Sequence, residues 1–257
     1  MLQGQRVLIV VPARGGSKGL PRKNLQPLLG VPLVARVGLL LKELAYVDRA
    51  VVSTDDEEIA RVAREAGIDA PFRRPEDLSG DTISDAAVLR HALEEMERLD
   101  ARRYDIIVML QPTSPLRRAA HVTATVEKLL RGRWDAVWTV SQTDVKYHPL
   151  KQLTLGEAGR LGYYDEQGAQ IIARQQLTPV YHRNGCAYAM TRACLVDDEA
   201  VMGRRTGAVL IDEPMVSIDT LEDLKAAQRL LEARAHRSAS TGAAQPSGCR
   251  PAAMVPS

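Results

Sequence analysis

The chain of 257 residues contains few aromatic residues, few cysteines and no long apolar run. Because aromatic residues make up only 4% of it, Val, Leu, Ile and Ala have to fill the core. Apolar stretches such as residues 7–11 and 106–110 have the length of strands and are too short to cross a bilayer, so we expect no membrane association. Three cysteines without the spacing of a metal site predict reduced thiols in a cytoplasmic protein.

Acidic residues are missing altogether from residues 1–42, although that segment carries seven cations. Four of these cations fall within ten residues of a glycine-rich stretch, namely Arg14, Lys18, Arg22 and Lys23. The net charge of only +2 argues against a nucleic-acid partner. A local cationic cluster on a nearly neutral protein instead predicts that the chain binds a small polyanion, such as a nucleoside triphosphate.

Strand-like and helix-like segments alternate along most of the chain. Apolar runs predict buried strands at residues 6–11, 50–53, 106–110, 136–140 and 208–211. The alternation indicates an α/β fold with a mostly parallel sheet and helices on both faces, in one domain of residues 1–235. Residues 141–190, with scattered polar residues and several glycines, predict hairpins inserted into that domain. Residues 236–257 have almost no large apolar residue and predict a disordered tail.

The turn after the first predicted strand, PARGGSKGLPRKN at residues 12–24, is the first candidate site. Ligands of open α/β sheets bind beyond the carboxyl ends of strands. Glycines let backbone N–H groups approach phosphates, and the cations supply opposite charge. The turn matches neither the Walker pattern nor the G-x-G-x-x-G pattern, so a P-loop enzyme or a Rossmann dehydrogenase is disfavoured. A merely solvated basic loop is the alternative.

Eight short motifs together resemble the acylneuraminate cytidylyltransferases, the family of CMP-sialic acid and other nonulosonic acid synthetases. The similarity extends from about residue 7 to residue 230, and the order and spacing of the motifs carry it. Besides residues 12–24, the motifs are VSTD (52–55), RPEDL (74–78), LQPTSPLR (110–117), HPLK (148–151), RQQL (174–177), NG (184–185) and SIDT (217–220).

This resemblance implies a Rossmann-like, three-layer nucleotide-diphospho-sugar transferase fold with a small inserted dimerisation subdomain, and hence a homodimer. It implies transfer of CMP from CTP to the anomeric hydroxyl of a nine-carbon 2-keto acid sugar, with Mg²⁺ or Mn²⁺ as cofactor. CTP would be bound by Ala13, Arg14, Gly15, Gly16, Ser17, Lys18, Lys23, Asn24 and Arg74, with Arg14, Lys18 and Lys23 acting in catalysis. The sugar would be bound by Ser84, Gln111, Lys151, Arg174 and Tyr188, and the metal by Asp219.

Asp219 also fits a purely structural role. The run Asp219–Glu222 matches a capping box at the start of the last predicted helix, which would explain the residue without any metal. The family usually has two metal-binding aspartates separated by one residue, and here Ser217 stands at the first position. Asp212 or Glu213 could substitute for the missing carboxylate.

Several predicted sugar-binding residues have a second interpretation as well. Gln111 could simply end a strand, and Lys151 and Arg174 could be ordinary surface cations. The enzyme could use the eight-carbon sugar KDO, or the chain could be a catalytically silent nucleotide-binding regulator, which the Ser217 position favours. Neither the particular nonulosonic acid nor a general base is identifiable from the residues.

Overall fold

A six-stranded sheet forms the centre of the protein, which we describe from a computed structural model covering residues 1–242. The strands are β1 (Val7–Pro12), β2 (Pro27–Leu28), β3 (Val31–Pro32), β4 (Arg49–Ser53), β5 (Ile106–Met109), β6 (Ala136–Gln142), β7 (Leu153–Leu155), β8 (Leu161–Tyr163), β9 (Tyr181–Thr191) and β10 (Thr206–Leu210). The α-helices are α1 (Leu33–Leu41), α2 (Glu57–Glu65), α3 (Asp85–Asp100), α4 (Ala119–Gly132), α5 (Arg192–Val196) and α6 (Leu221–Gly242).

The central sheet has the order β10-β6-β9-β5-β1-β4. The pairs β10–β6, β5–β1 and β1–β4 are parallel, whereas β9 is antiparallel to both of its neighbours. The predicted mostly parallel sheet is therefore confirmed. Its apolar strands are hydrogen-bonded on both sides in the middle of the sheet and covered on both faces, as continuous apolar runs require.

Helices cover both faces of this sheet, which gives three layers. Val7, Ile9 and Val11 of β1 belong to a core cluster with α1, α2 and α4, whereas Leu8 and Val10 belong to a cluster with α3 and α5. Successive residues of a strand point to opposite faces, so one short strand serves both cores. The predicted α/β class is confirmed, and aliphatic side chains supply most of both cores.

Two boundaries differ from the sequence prediction. The insertion predicted over residues 141–190 ends earlier, because β9 from Tyr181 onward is a strand of the central sheet and its residues 184–190 are buried. The inserted region nevertheless contains a hairpin, β7–β8, as predicted. Helix α6 continues to Gly242, beyond the predicted domain end at residue 235. The rest of the predicted tail, residues 243–257, lies outside the described residues.

The parallel strands determine where the loops meet. Strands β1, β4 and β5 run in the same direction and end at Pro12, Ser53 and Met109. The loops that follow them therefore lie at one edge of the sheet, where open α/β sheets bind their ligands. Within residues 1–242, none of the helices combines the length and the hydrophobicity needed to span a bilayer.

Candidate active site

A cavity of about 590 Å³ opens at this edge of the sheet. Eight of the residues predicted from the sequence line it: Arg14, Ser17, Lys18, Lys23, Asn24, Arg74, Gln111 and Asp219. They come from four separate segments, and folding brings them to one place. The cavity thus joins the predicted phosphate loop, the end of β5 and the segment before α6.

The loop after β1 is held in place by its own polar contacts. The Asn24 amide donates to the Arg14 carbonyl (3.0 Å), which fixes the loop as predicted. The Ala13 N–H donates to the Ser53 carbonyl (3.0 Å), and Ala13 is buried rather than exposed to the cavity. These contacts tie the loop to strand β4 and present its charged side chains to the cavity.

Gly15 and Gly16 play different parts in this loop. The N–H of Gly15 donates to the Asp55 carboxylate (2.9 Å), and a Cβ on Gly15 would lie 2.9 Å from a carboxylate oxygen of Asp56. Gly15 is therefore needed for close packing against the acidic N-terminal end of α2, and its N–H is engaged by Asp55, so its contact with phosphate stays a prediction. A Cβ on Gly16 would meet nothing within 4 Å, so space remains beside its backbone for a ligand.

The three predicted phosphate-binding cations converge on two carboxylates. Arg14 lies 2.5 Å from Asp81, and Lys18 contacts the other oxygen of the same carboxylate. Lys23 lies 2.7 Å from Asp219. The hydrogen bonds from Lys18 and then Arg14 lower the pKa of Asp81 below its usual range. An anionic ligand that binds these cations has to compete with both carboxylates.

Arg74 forms part of the buried wall between the loop and α3. Its side chain is only 4% exposed and donates to the carbonyls of Ser53 and Leu78. Burial lowers its pKa, an effect that the nearby carboxylate of Asp55 opposes. The buried Nε has no hydrogen-bond partner among the described residues. Arg74 is thus anchored by backbone carbonyls and keeps its positive charge beside the cavity.

Gln111 is positioned by an arginine to which the sequence motifs assign no task. The buried Arg117 donates to the carbonyls of Gln111 (2.5 Å) and Gly185 (3.1 Å), so it ties the end of β5 to β9. Gly185 has φ +67°, and a Cβ there would lie 2.5 Å from the Gln111 side-chain oxygen. Only glycine leaves room for Gln111 in this place. Contacts with Arg117 and Gly185 therefore fix the position of Gln111 at the cavity, which a residue that only ends a strand does not require.

Tyr188 supports the backbone of Gly185, and thereby the position of Gln111, from within the core. Its hydroxyl accepts a hydrogen bond from the Gly185 N–H (2.8 Å), and its ring packs against Trp138. With only 3% exposure it does not line the cavity. Strand β9 turns the ring of Tyr188 toward the core and gives it a supporting role, and its contact with the sugar stays a prediction.

Asp219 reaches the phosphate loop through a close backbone approach. A Cβ on Gly19 would lie 2.7 Å from the Asp219 carbonyl oxygen, so the loop packs directly on this segment. The capping box of α6 uses other residues: Thr220 accepts from the Asp223 N–H (3.2 Å), and Asp223 accepts from the Thr220 N–H (2.8 Å). The proposed Asp219–Glu222 capping box is therefore wrong. The carboxylate of Asp219 is left to face Lys23 and the cavity.

Glu213 does not replace the missing carboxylate at position 217. Its side chain pairs with Arg118 and lies 3.0 Å from His121 Nε2, in a different cavity behind the 112–118 turn. Among residues 1–242 no cluster of three or more Asp, Glu, His or Cys side chains could hold a metal by itself. The donor set therefore fits Mg²⁺ only as an ion held by one carboxylate together with phosphate oxygens and water, which is how Mg²⁺ often binds beside nucleotides.

Three predicted sugar-binding residues are not among those that line the cavity of this chain. Lys151 and Arg174 line a separate cavity of about 300 Å³ within the insertion. Ser84 is exposed, and its hydroxyl caps α3 by accepting from the Ala87 N–H (3.2 Å). Capping turns the Ser84 side chain toward the helix end, and its contact with the sugar stays a prediction.

Asp81 and Asp85 are cavity residues that the sequence motifs did not indicate. Helix α3 begins at Asp85, directly after the Ser84 cap. Residues 79–84 therefore form a loop that carries Asp81 to the cations, and Asp85 stands at the first turn of the helix. The serine at position 84, a favourable capping residue, is the signal that could have placed this boundary.

A mostly parallel three-layer sheet with a cationic loop at its carboxyl edge places the chain in the nucleotide-sugar transferase fold class. Solved structures of that class share the fold. CMP:2-keto-3-deoxy-manno-octonic acid synthetase complexed with CTP superposes with a TM-score of 0.65 at 19% identity, over 89% of this chain and 99% of that one. The 4-diphosphocytidyl-2C-methyl-D-erythritol synthase of Anaerococcus prevotii gives a TM-score of 0.61 at 14% identity, over 90% and 100% of the two chains.

The chain belongs to the cytidylyltransferase family, whose model, described as Cytidylyltransferase, matches residues 8–241. It is 31% identical to the pseudaminic acid cytidylyltransferase of Campylobacter jejuni, over 90% of this chain and 98% of the relative. It is 30% identical to the CMP-N,N'-diacetyllegionaminic acid synthase of Legionella pneumophila, over 88% and 97%. It is 32% identical to the N-acylneuraminate cytidylyltransferase of Streptococcus agalactiae, over 84% of this chain and 51% of that longer protein. The family predicted from the sequence motifs is confirmed.

Proposed function

We propose that this protein transfers CMP from CTP to the anomeric hydroxyl of a nine-carbon 2-keto acid sugar, a nonulosonic acid, and releases pyrophosphate. The convergence of Arg14, Lys18 and Lys23 in one cavity with Gln111 is the observation that carries the proposal. A triphosphate needs several cations in one place, and an acidic sugar needs polar groups beside them. The names of the relatives support the choice of sugar class.

The reaction needs positioning and charge stabilisation rather than a covalent intermediate. The anomeric oxygen attacks the α-phosphorus, the bond between the α-phosphorus and the bridging oxygen breaks, and the hydroxyl proton is released. Arg14, Lys18 and Lys23 bind the phosphates and neutralise the charge that develops on pyrophosphate. Mg²⁺ or Mn²⁺, held by Asp219 with phosphate oxygens, would supply further positive charge.

We also propose a homodimer formed through the insertion. Large apolar side chains are unusually exposed there, with Leu155 at 73%, Tyr164 at 70% and Ile172 at 93% exposure. Burying such side chains against a partner is favourable. A dimer could place Lys151 and Arg174 of one subunit at the cavity of the other, which would reconcile their position with a sugar-binding role.

Sedimentation and mixed subunits test this assembly. The chain should sediment as a dimer, and a monomer would contradict the proposal. If Arg174 acts across the interface, inactive Lys23→Ala subunits and Arg174→Ala subunits should regain activity when mixed. No recovery in verified mixed dimers would place each residue in its own subunit's site.

The sugar is identified by a parallel incubation. The enzyme, CTP and Mg²⁺ are combined with pseudaminic, legionaminic and N-acetylneuraminic acids and with KDO, and CMP-sugar is followed by mass spectrometry, with Lys23→Ala as the inactive control. Conversion of a nine-carbon sugar is expected. Conversion of KDO alone would identify the enzyme as a KDO cytidylyltransferase. Tight CTP binding without turnover of any sugar would instead support a nucleotide-binding regulator.

A further inference from the structure

Asp85 is a cavity carboxylate whose negative charge suits the N-terminal end of α3, and the phosphate loop assigns it no further task. It is the first residue of α3, and it lines the same cavity as Arg74 and Gln111. The other two carboxylates of this cavity are ion-paired, Asp81 with the loop cations and Asp219 with Lys23. Within the part of the chain that the structure describes, no donor hydrogen-bonds the Asp85 carboxylate, and it forms no ion pair.

The surroundings of Asp85 leave its carboxylate partly desolvated and open to the cavity. The residue is half-buried, and burial raises its pKa. Arg183, followed by Arg74, acts in the opposite direction and favours the charged form. Neither of its oxygens is among the fully buried atoms that lack a partner, so water reaches the carboxylate and a ligand can replace that water. A group kept in this condition inside a ligand cavity is suited to receive donors from the ligand.

One neighbour of Asp85 comes from the strand that supports Gln111. Arg183, whose guanidinium carbon lies 5.7 Å from the centre of the Trp138 ring, comes from β9, the same strand as Gly185 and Tyr188, which support Gln111. The triphosphate cations, in contrast, come from the loop after β1. Asp85 therefore lies near Arg183 of β9 and near Arg74, in the cavity that Gln111 also lines.

We propose that Asp85 is a specificity-determining residue for the sugar, whose carboxylate accepts a hydrogen bond from a hydroxyl or acylamino N–H group of the nonulosonic acid. A carboxylate is an acceptor only, so it selects sugars that carry a donor at the facing carbon and rejects sugars in which that donor is missing or masked. The inference rests on the proposed function, because it names a residue of the same site that recognises the second substrate.

The test separates the two substrates kinetically. Asp85→Ala should raise the KM for the sugar about 10- to 100-fold, the range expected for loss of a hydrogen bond to a charged group. The KM for CTP should stay within about twofold, and the far-UV circular dichroism spectrum should not change. Asp85→Asn keeps an acceptor oxygen and should recover part of the loss. Asp77→Asn, an exposed carboxylate outside the cavity, is the matched control.

The donor that Asp85 recognises is found by comparing sugars that carry either a hydroxyl or an acylamino group at the same carbon. The effect of Asp85→Ala is expected to be largest for the sugar that supplies the recognised donor. A raised KM for CTP with weakened discrimination between CTP and UTP would overturn the proposal and place Asp85 at the cytosine. Unchanged KM values for both substrates would overturn it as well. If the unmodified enzyme converts no nonulosonic acid, the proposed function itself fails, whereas normal turnover with unaffected Asp85 variants refutes the role of Asp85 alone.

Discussion

Two neighbouring residues before α6 offer a sharp test of the site, because the structure gives them separate tasks. The carboxylate of Asp219 lies 2.7 Å from Lys23 and lines the cavity, whereas the hydroxyl of Thr220 accepts the Asp223 N–H and caps the helix. We predict that Asp219→Asn reduces activity without loss of stability and that Thr220→Ala reduces stability without a comparable loss of activity.

The magnitudes follow from the contacts that each change removes. Thr220→Ala deletes an N-cap, which costs about 1 kcal/mol, and in a domain of this size about 1 kcal/mol lowers the Tm by roughly 2–4 °C. Asp219→Asn removes one ion pair of a side chain that is 71% exposed, and such pairs contribute less than about 1 kcal/mol. The same change removes the one carboxylate that faces the phosphate loop from this segment, so turnover should fall on the order of 10²-fold or more.

The assay combines pyrophosphate release at increasing Mg²⁺ concentration with thermal unfolding of each variant. Asp219→Asn should need far more Mg²⁺ or lose its response to it, while its Tm stays within about 1 °C of that of the unmodified protein. Thr220→Ala should keep the normal Mg²⁺ response and unfold at lower temperature. A lower Tm together with unchanged kinetics in Asp219→Asn would refute the assignment and restore the helix-cap interpretation.

Three further predictions concern the phosphate loop and the cap. Lys23→Ala should lower kcat/KM on the order of 10²- to 10³-fold. The adjacent cation Arg22 pairs with Glu58 outside the cavity, so Arg22→Ala should leave kcat/KM nearly unchanged. Equal effects of the two substitutions would contradict the phosphate role of Lys23. Asp81→Asn should lower the KM for CTP about two- to fivefold, because Arg14 and Lys18 then no longer have to exchange a carboxylate for phosphate. A raised KM for CTP would show instead that Asp81 helps to bind the nucleotide. Burial raises the pKa of Asp223, but its hydrogen bonds have the larger combined effect and lower the pKa below 3.8. The contribution of Asp223 to stability is therefore present above about pH 4 and is lost as the pH falls through the lowered pKa. Between about pH 5 and pH 3 the Tm of Asp223→Asn should therefore fall less than that of the unmodified protein, and parallel curves would refute the capping role.

The phosphate loop could be predicted from sequence because its features are local. An apolar strand, three glycines and four cations follow one another within about twenty residues, and the right-handed βα connection places such a loop at the carboxyl edge of the sheet. The family motifs added Gln111 and Asp219, which the structure brings to the same cavity. The sequence could not tell whether Asp219 caps α6, because both assignments fit the same four residues.

The rest depended on contacts between distant segments. Strand β9 looked like part of an insertion, since its first residues are polar and it contains Gly185; only its pairing with β5 and β6 shows that it completes the central sheet. Asp85 and the supporting role of Tyr188 were likewise hidden, because burial and direction of a side chain depend on what packs against it.

By itself, the sequence determined the α/β class, the family and the cationic loop, because hydrophobic periodicity and turn chemistry act between residues that are close along the chain. Only the tertiary structure decided which carboxylates meet those cations and which side chains face the cavity. Asp219, 196 positions from Lys23, reaches it through the close packing of Gly19 on the backbone before α6. Such an approach is set by the packing of whole elements around the sheet, and no spacing within a single motif encodes it.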